Sequence, residues 1–219
     1  MKSVWLLLFV MLIGCSGATV RSGALEEPWH LGFGAPAYME TWVETASVID
    51  VKGGLYPNAG SGTVSLRYSG DPSGWPDRPG RGAGRNVTGA DLPARIYVRW
   101  QSLVEPQTYE VTLEIPDEVR RLMQQREPQP RYLPEQKLQY RNQLIVGLAP
   151  GGAVKVWNSG VGLEPVEVMC SQASVVSEGP SQGKTGGAYA YSREKLEPAT
   201  QHYLNEHPIP YESWKCGNG

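Results

Sequence analysis

The chain has 219 residues and a mass of 24.0 kDa, with 40% hydrophobic and 19% charged residues and a net charge of −2. That is enough apolar material for one good-sized core, so one domain is the expectation. Glycine and proline together make about a fifth of the chain, short of a composition that cannot pack, which excludes collagen-like, coiled-coil and wholly disordered readings. A pI near 6.0 speaks against a nucleic-acid partner, which demands a basic excess to displace counterions from phosphates.

Lys2 gives a positive start, residues 4–13 are an apolar run, and Leu12-Ile13-Gly14-Cys15 closes it. A spanning helix needs about twenty apolar residues, so this run has the length of an export-signal core. Its ending resembles a bacterial lipobox, which implies cleavage before Cys15 and acylation of both its thiol and the new amino group. Each buried methylene of an acyl chain contributes about 0.8 kcal/mol, so a triacylated terminus is a firm membrane anchor. A plain secretory peptide with a coincidental cysteine is the bland alternative. The expected organisation is a signal peptide over 1–14, a lipidated tether over 15–27 and a single β-rich domain over 28–219. Ser16, rather than an aspartate, follows the cysteine, which points to the periplasm-facing inner leaflet of the outer membrane.

With Cys15 taken by lipid, Cys170 and Cys216 remain in an oxidising compartment, and the even remainder favours a Cys170–Cys216 disulfide over two unpaired thiols. Losing the signal removes only Lys2, so a net charge of −2 becomes −3. A local basic stretch, 120–141, holds Arg120, Arg121, Arg126, Arg131, Lys137 and Arg141 against Glu127 and Glu135. A solvated face is the plain explanation for it.

From Trp29 onward the pattern is mainly β. Val64, Leu66 and Tyr68 alternate with polar neighbours, as do Ile96, Val98 and Trp100, and then Tyr109, Val111, Leu113 and Ile115. The last two runs form an expected antiparallel hairpin. Pro116-Asp117-Glu118 opens a helix, with Val119, Leu122 and Met123 on one face, that stops before Pro128. A second hairpin pairs 144–148 with 153–157 through Ala149-Pro150-Gly151-Gly152, a turn that suits type II geometry. Strands over 166–169 and 188–191 and a short helix over 198–205, with Ala199, Tyr203 and Leu204 inward, complete the reading. The fold class is α+β and mainly β: an antiparallel sheet or sandwich built from hairpins, with one or two short helices. Residues 70–93 stand apart as a long Gly- and Pro-rich loop carrying Trp75, Arg78, Arg81 and Arg85. Loops of this length are usually functional or disordered.

No residue set announces a reaction. Gly179-Pro180-Ser181-Gln182-Gly183-Lys184-Thr185 approaches a phosphate loop, but the spacing is one residue short and Glu178 stands where glycine is needed. His30, His202 and His207 show no metal-ligand spacing. There is no Gly-x-Ser-x-Gly elbow. The expectation is therefore no catalysis, no metal, no cofactor and no nucleotide. Tryptophan and arginine together are the composition of interface hot spots, so Trp75 with Arg78, Arg81 and Arg85 is the candidate partner-binding set. A Trp75 tucked back over the sheet is an equal alternative.

The lipobox at Cys15, Trp29-x-x-Gly32-Phe33, Leu92-Pro93 before a strand ending Trp100-Gln101-Ser102, the next strand into Pro116, and Leu148-Ala149-Pro150-Gly151-Gly152 with Val156-Trp157 resemble one family. It is an uncharacterised group of Gram-negative envelope lipoproteins with a domain of unknown function, and the similarity spans nearly the whole mature chain. Similar lipoproteins stand beside type VI secretion effectors, notably phospholipases, as periplasmic immunity proteins. The resemblance implies a membrane-anchored binding protein that inhibits such a toxin by occupying it. The alternatives are an envelope assembly lipoprotein that contacts outer-membrane or cell-wall components through the 120–141 stretch, and a periplasmic hydrolase.

Overall fold

The computed structural model describes residues 28–128 and 138–217. The signal segment 1–14, Cys15, the tether over 15–27, Arg131 and Lys137 lie outside the described residues. In chain order the elements begin with β1 (Trp29–Gly34), β2 (Thr41–Asp50), β3 (Leu55–Thr63), β4 (Gly82–Val87), β5 (Pro93–Ser102) and β6 (Gln107–Glu114). Then come α1 (Asp117–Met123), a small hairpin of β7 (Arg126–Pro128) and β8 (Leu138–Tyr140), β9 (Gln143–Leu148), β10 (Ala153–Gly160), β11 (Leu163–Gln172), β12 (Ser174–Val175) and α2 (Pro198–Glu206).

Ten strands form one sheet in the order β11-β10-β9-β1-β4-β3-β2-β5-β6-β12. The two strands at opposite ends of that order, β11 and β12, are separated in the chain by Ala173 alone. The sheet must therefore curl until its ends meet, giving a nearly closed barrel. Its pairs are antiparallel, as expected of a sheet built from hairpins, except β1 with β9, which run parallel.

Both expected hairpins form. In β5–β6, Ile96 faces Leu113, Val98 faces Val111 and Trp100 faces Tyr109, so the period-two apolar residues of both strands share the inner face. In β9–β10, Leu144, Val146 and Leu148 lie opposite Asn158, Val156 and Val154. Gly151 at the intervening turn takes φ 73° and ψ 4°, the type II position. α1 starts at Asp117 after Pro116 and buries Val119 and Met123.

Three expected elements differ. Residues 64–68 form no strand, and their β contact is a single bridge from Ser65 to Gly34. Residues 188–191 cross the outer surface as irregular chain, where the Ala190 N–H donates to Gln101 Oε1 at 2.7 Å. The loop expected over 70–93 contains β4, which pairs with β1 and β3. β4 and β3 are glycine-rich for a packing reason rather than a flexible one. A Cβ at Gly60 would collide with the Phe33 ring, so the strand covering that ring has to lack a side chain there.

The barrel has two distinct ends. Trp29 opposite Val87, Asp50 opposite Pro93, Arg95 opposite Glu114 and Gly160 opposite Leu163 place one set of connections together. That proximal end holds Pro28, where the chain enters, the 51–54 and 161–162 turns, the 88–92 connection and α1. The distal end holds residues 35–40, 64–81, 103–106 and 149–152. The barrel core fills the interior, with Trp29, Phe33, Ile96, Trp100 and Leu144 almost wholly buried. A second cluster of Met39, Leu103, Val104, Ala149, Ala153, Leu196 and Trp214 sits outside the sheet near the distal end, beneath the C-terminal tail.

Candidate partner-binding site

The tail is strapped to the sheet by the Cys170–Cys216 disulfide, with a Cα–Cα distance of 5.6 Å, as the cysteine arithmetic led one to expect. Two residues earlier Trp214 is fully buried, and its indole N–H donates to the carbonyls of Pro72 and Gly74, both at 3.0 Å. The indole N–H of Trp75 donates in return to the Trp214 carbonyl at 3.2 Å. The strap and the 70–76 segment therefore lock one another. Trp75 lies edge-on to Trp157 with ring centroids 5.5 Å apart. Both rings rest on Gly147, where an added Cβ would stand 2.6 Å from each. Trp75 is thus half-buried: part of it closes the outer cluster and part remains at the surface.

Between the 35–37 turn and the 65–80 loop lies a cleft of about 280 Å³. Trp75, Pro36 and Pro76 supply its apolar wall, and Arg67, Asp71, Asp77, Arg78 and Ser65 its polar one. Arg78 is held by Glu164 at 2.8 Å, with both side chains more than half exposed, a contact worth little to stability. The Ser73 N–H donates to Asp71 at 2.8 Å and holds that carboxyl below its ordinary value. Two cations and two carboxylates line one recess, so the cleft is dipolar rather than charged in one sense. Sequence reading missed Arg67, Asp71 and Asp77. Residues 64–68 looked like a strand with Arg67 on its wet face, and one signal for a site was the run of polar residues leading into the Gly-Pro loop.

The cleft is rigid on its other side as well. Tyr38 occupies the left-handed region at φ 64°, a strained position for a bulky residue. Its N–H donates to the Arg67 carbonyl at 2.9 Å, its carbonyl accepts from Thr200 Oγ1 at 3.2 Å, and its ring stacks on Tyr203 at 4.9 Å. The 64–81 loop and α2 thus hold the 35–40 turn between them.

The structure does not bring the four sequence-selected residues together. Trp75 and Arg78 line the cleft. Arg81 packs over Gly32 and lines a groove with His30, Asn86 and Asn142, while Arg85 borders residues 55–59. In the basic stretch, Arg120 bonds Asp117, Arg121 bonds Glu118, Arg126 lies 4.5 Å over the Tyr140 ring, and buried Arg141 makes a two-pronged pair with Glu127. The described arginines of that stretch are each engaged within the chain.

The segment that approaches a phosphate loop cradles an anion of its own. Ser181 N–H donates to Glu44 at 2.6 Å, and the same carboxylate accepts from Arg99 at 2.7 Å and Gln101 at 2.8 Å. This buried hub pins the tail to β2 and β5. Of the histidines, His30 meets Asn86 at 3.1 Å, His202 lies 3.4 Å from Glu206, and His207 stacks on Tyr203. Among the described residues no group of three or more His, Cys, Asp or Glu side chains could hold a metal, and no helix is long and apolar enough to cross a membrane.

No curated protein and no solved structure matches the chain. Residues 22–212 match the family described as Protein of unknown function (DUF2931), which takes in the whole barrel and the tail through α2, and the chain belongs to that family.

Proposed function

We propose that this protein is a lipid-anchored, periplasm-facing binding protein of the outer membrane, and that it acts as an immunity protein, inhibiting an incoming type VI secretion toxin of the lipase type by occupying it. The observation that supports this reading is the polarity of the barrel. The chain enters at Pro28 on the proximal end, whereas the 35–37 turn and Ser65 that wall the cleft lie at the distal end, a strand length of about 20 Å away along β1, and the cleft's Arg78 reaches back along the barrel's flank to Glu164. An anchor at Cys15 would join the membrane to the proximal end, not to the turn that walls the cleft. Locking the 70–76 segment to the tail before binding lowers the ordering cost that a loose Gly- and Pro-rich loop would impose on association. A membrane tether also raises the local concentration of inhibitor where a lipid-degrading toxin acts.

The alternative, an envelope assembly protein that reads polyanions through the 120–141 stretch, draws less support, because its described arginines are engaged within the chain. The test is affinity capture of the tagged full chain from secreted and envelope fractions, washed in high salt and read by mass spectrometry. Recovery of one secreted lipase-type toxin in stoichiometric amount is the expected result. Recovery of outer-membrane proteins or glycan alone would overturn the reading.

A further inference from the structure

We infer that the proximal end of the barrel is a membrane-contact surface whose hairpin tips dip into the lipid interface. This rests on the lipid anchor proposed above. Among the described residues six large aliphatic side chains are exposed: Val51, Leu55, Leu138, Val161, Val166 and Val175. Four of them stand at the proximal end. Val51 and Leu55 flank the β2–β3 turn, Val161 forms the β10–β11 turn, and Leu138 opens the strand that leads into β9. Their exposures run from 45% to 63%. The exposed tyrosines, Tyr68, Tyr191 and Tyr211, belong to the distal loop and tail instead. Aliphatic side chains carried on exposed hairpin tips at one end of the barrel are what an interfacial lipid contact requires.

The occupant follows from where the chain enters. Pro28 and Val161 line the same groove, so the domain's first described residue lies beside one of these tips. From Cys15 to Pro28 there are 13 residues, which span at most about 45 Å when extended, so an anchored chain keeps this end within reach of the bilayer. Charge plays the lesser part. Lys52 pairs with Asp91, Arg95 with Glu114 and Arg121 with Glu118, leaving little net charge to draw anionic lipid. The contact is therefore apolar and insensitive to salt.

Val161 and Val175 give a built-in comparison: they are the same residue, 57% and 59% exposed, at the proximal end and near the distal end. The full chain is produced with its lipid, reconstituted in vesicles of phosphatidylethanolamine and phosphatidylglycerol, floated, and footprinted with hydroxyl radicals. Oxidation of Val161 should fall at least about fivefold below that of Val175, with Val51 and Leu55 falling alongside it and no change in high salt. In Val51→Glu/Leu55→Glu, whose changes lie on exposed tips, the chain should still float while Val161 regains the Val175 rate. A floating wild-type chain with equal oxidation of the two valines overturns the contact but leaves the anchor standing. A chain that does not float refutes the anchor and this surface with it. Protection that persists in detergent and grows with protein concentration would assign the tips to a second copy and overturn the proposal.

Discussion

Replacing Cys170 and Cys216 together by Ser opens the covalent link between β11 and the tail. The bridge spans a sequence separation of 46. In the chain-entropy relation, a loop of that length removes about 13 cal/mol/K from the unfolded ensemble, or about 4 kcal/mol at room temperature. The native side loses little directly. Trp214 can stay docked on Pro72 and Gly74, and the Glu44 hub and the Thr200–Tyr38 bond still hold the strap. The cost should thus appear as a change in global stability rather than as detachment of the tail. Guanidinium unfolding followed by tryptophan fluorescence should place the double variant about 3–4 kcal/mol below the parent, with a steeper denaturant slope as the unfolded chain expands. A loss below about 1 kcal/mol with an unchanged slope would mean that the bridge does not constrain the unfolded state.

The packing of the strap makes further outcomes measurable. Trp214→Phe keeps most of the buried ring but leaves the Pro72 and Gly74 carbonyls without their donor, so it should cost about 1–3 kcal/mol by denaturant unfolding. Gly147→Ala forces a methyl group between the Trp75 and Trp157 rings, and a loss of about 1–3 kcal/mol together with a changed near-ultraviolet circular dichroism spectrum is expected. Burial alone would raise the Asp50 pKa, but backbone N–H groups of Asp91, Gly54 and Lys52 outweigh it and hold the carboxyl below its ordinary 3.8. A depressed folded pKa contributes stability that is present above pH 3.8 and lost as pH falls through the lower folded value, so Asp50→Asn should flatten the acid side of the stability–pH curve below about pH 4.

What the sequence disclosed depended on whether one rule governed each segment. β5, β6, β9 and β10 alternate cleanly because one face of each packs on the barrel core, and their hairpins could be read directly. β2 crosses the middle of the sheet yet went unread. A register shift between Val43 and Thr45 inserts an extra residue, so its inward Val43, Ala46 and Val48 do not keep period two. β3 and β4 carry almost no apolar signal because close contacts, such as that of Gly60 with Phe33, exclude side chains. Residues 64–68 show the reverse error: alternation without a partner strand, spent instead on the wall of the cleft.

The site was half legible for a related reason. Trp75 and Arg78 stood out by composition, whereas Arg67 and Asp71 join them only through the Trp214 lock and the strained Tyr38 turn, contacts between residues far apart in the chain. The disulfide was legible because cysteine counting needs no geometry.

The most direct test of the distal cleft as the binding site is to repeat the capture with a charge-exchanged pair, Arg67→Glu/Asp77→Arg. Both side chains are exposed lining residues, and the net charge of the chain is unchanged. The full-length parent should retain a lipase-type toxin through high-salt washing, and the exchanged protein, equally stable, should lose it. Equal retention of the toxin by both proteins would contradict the assignment of the cleft.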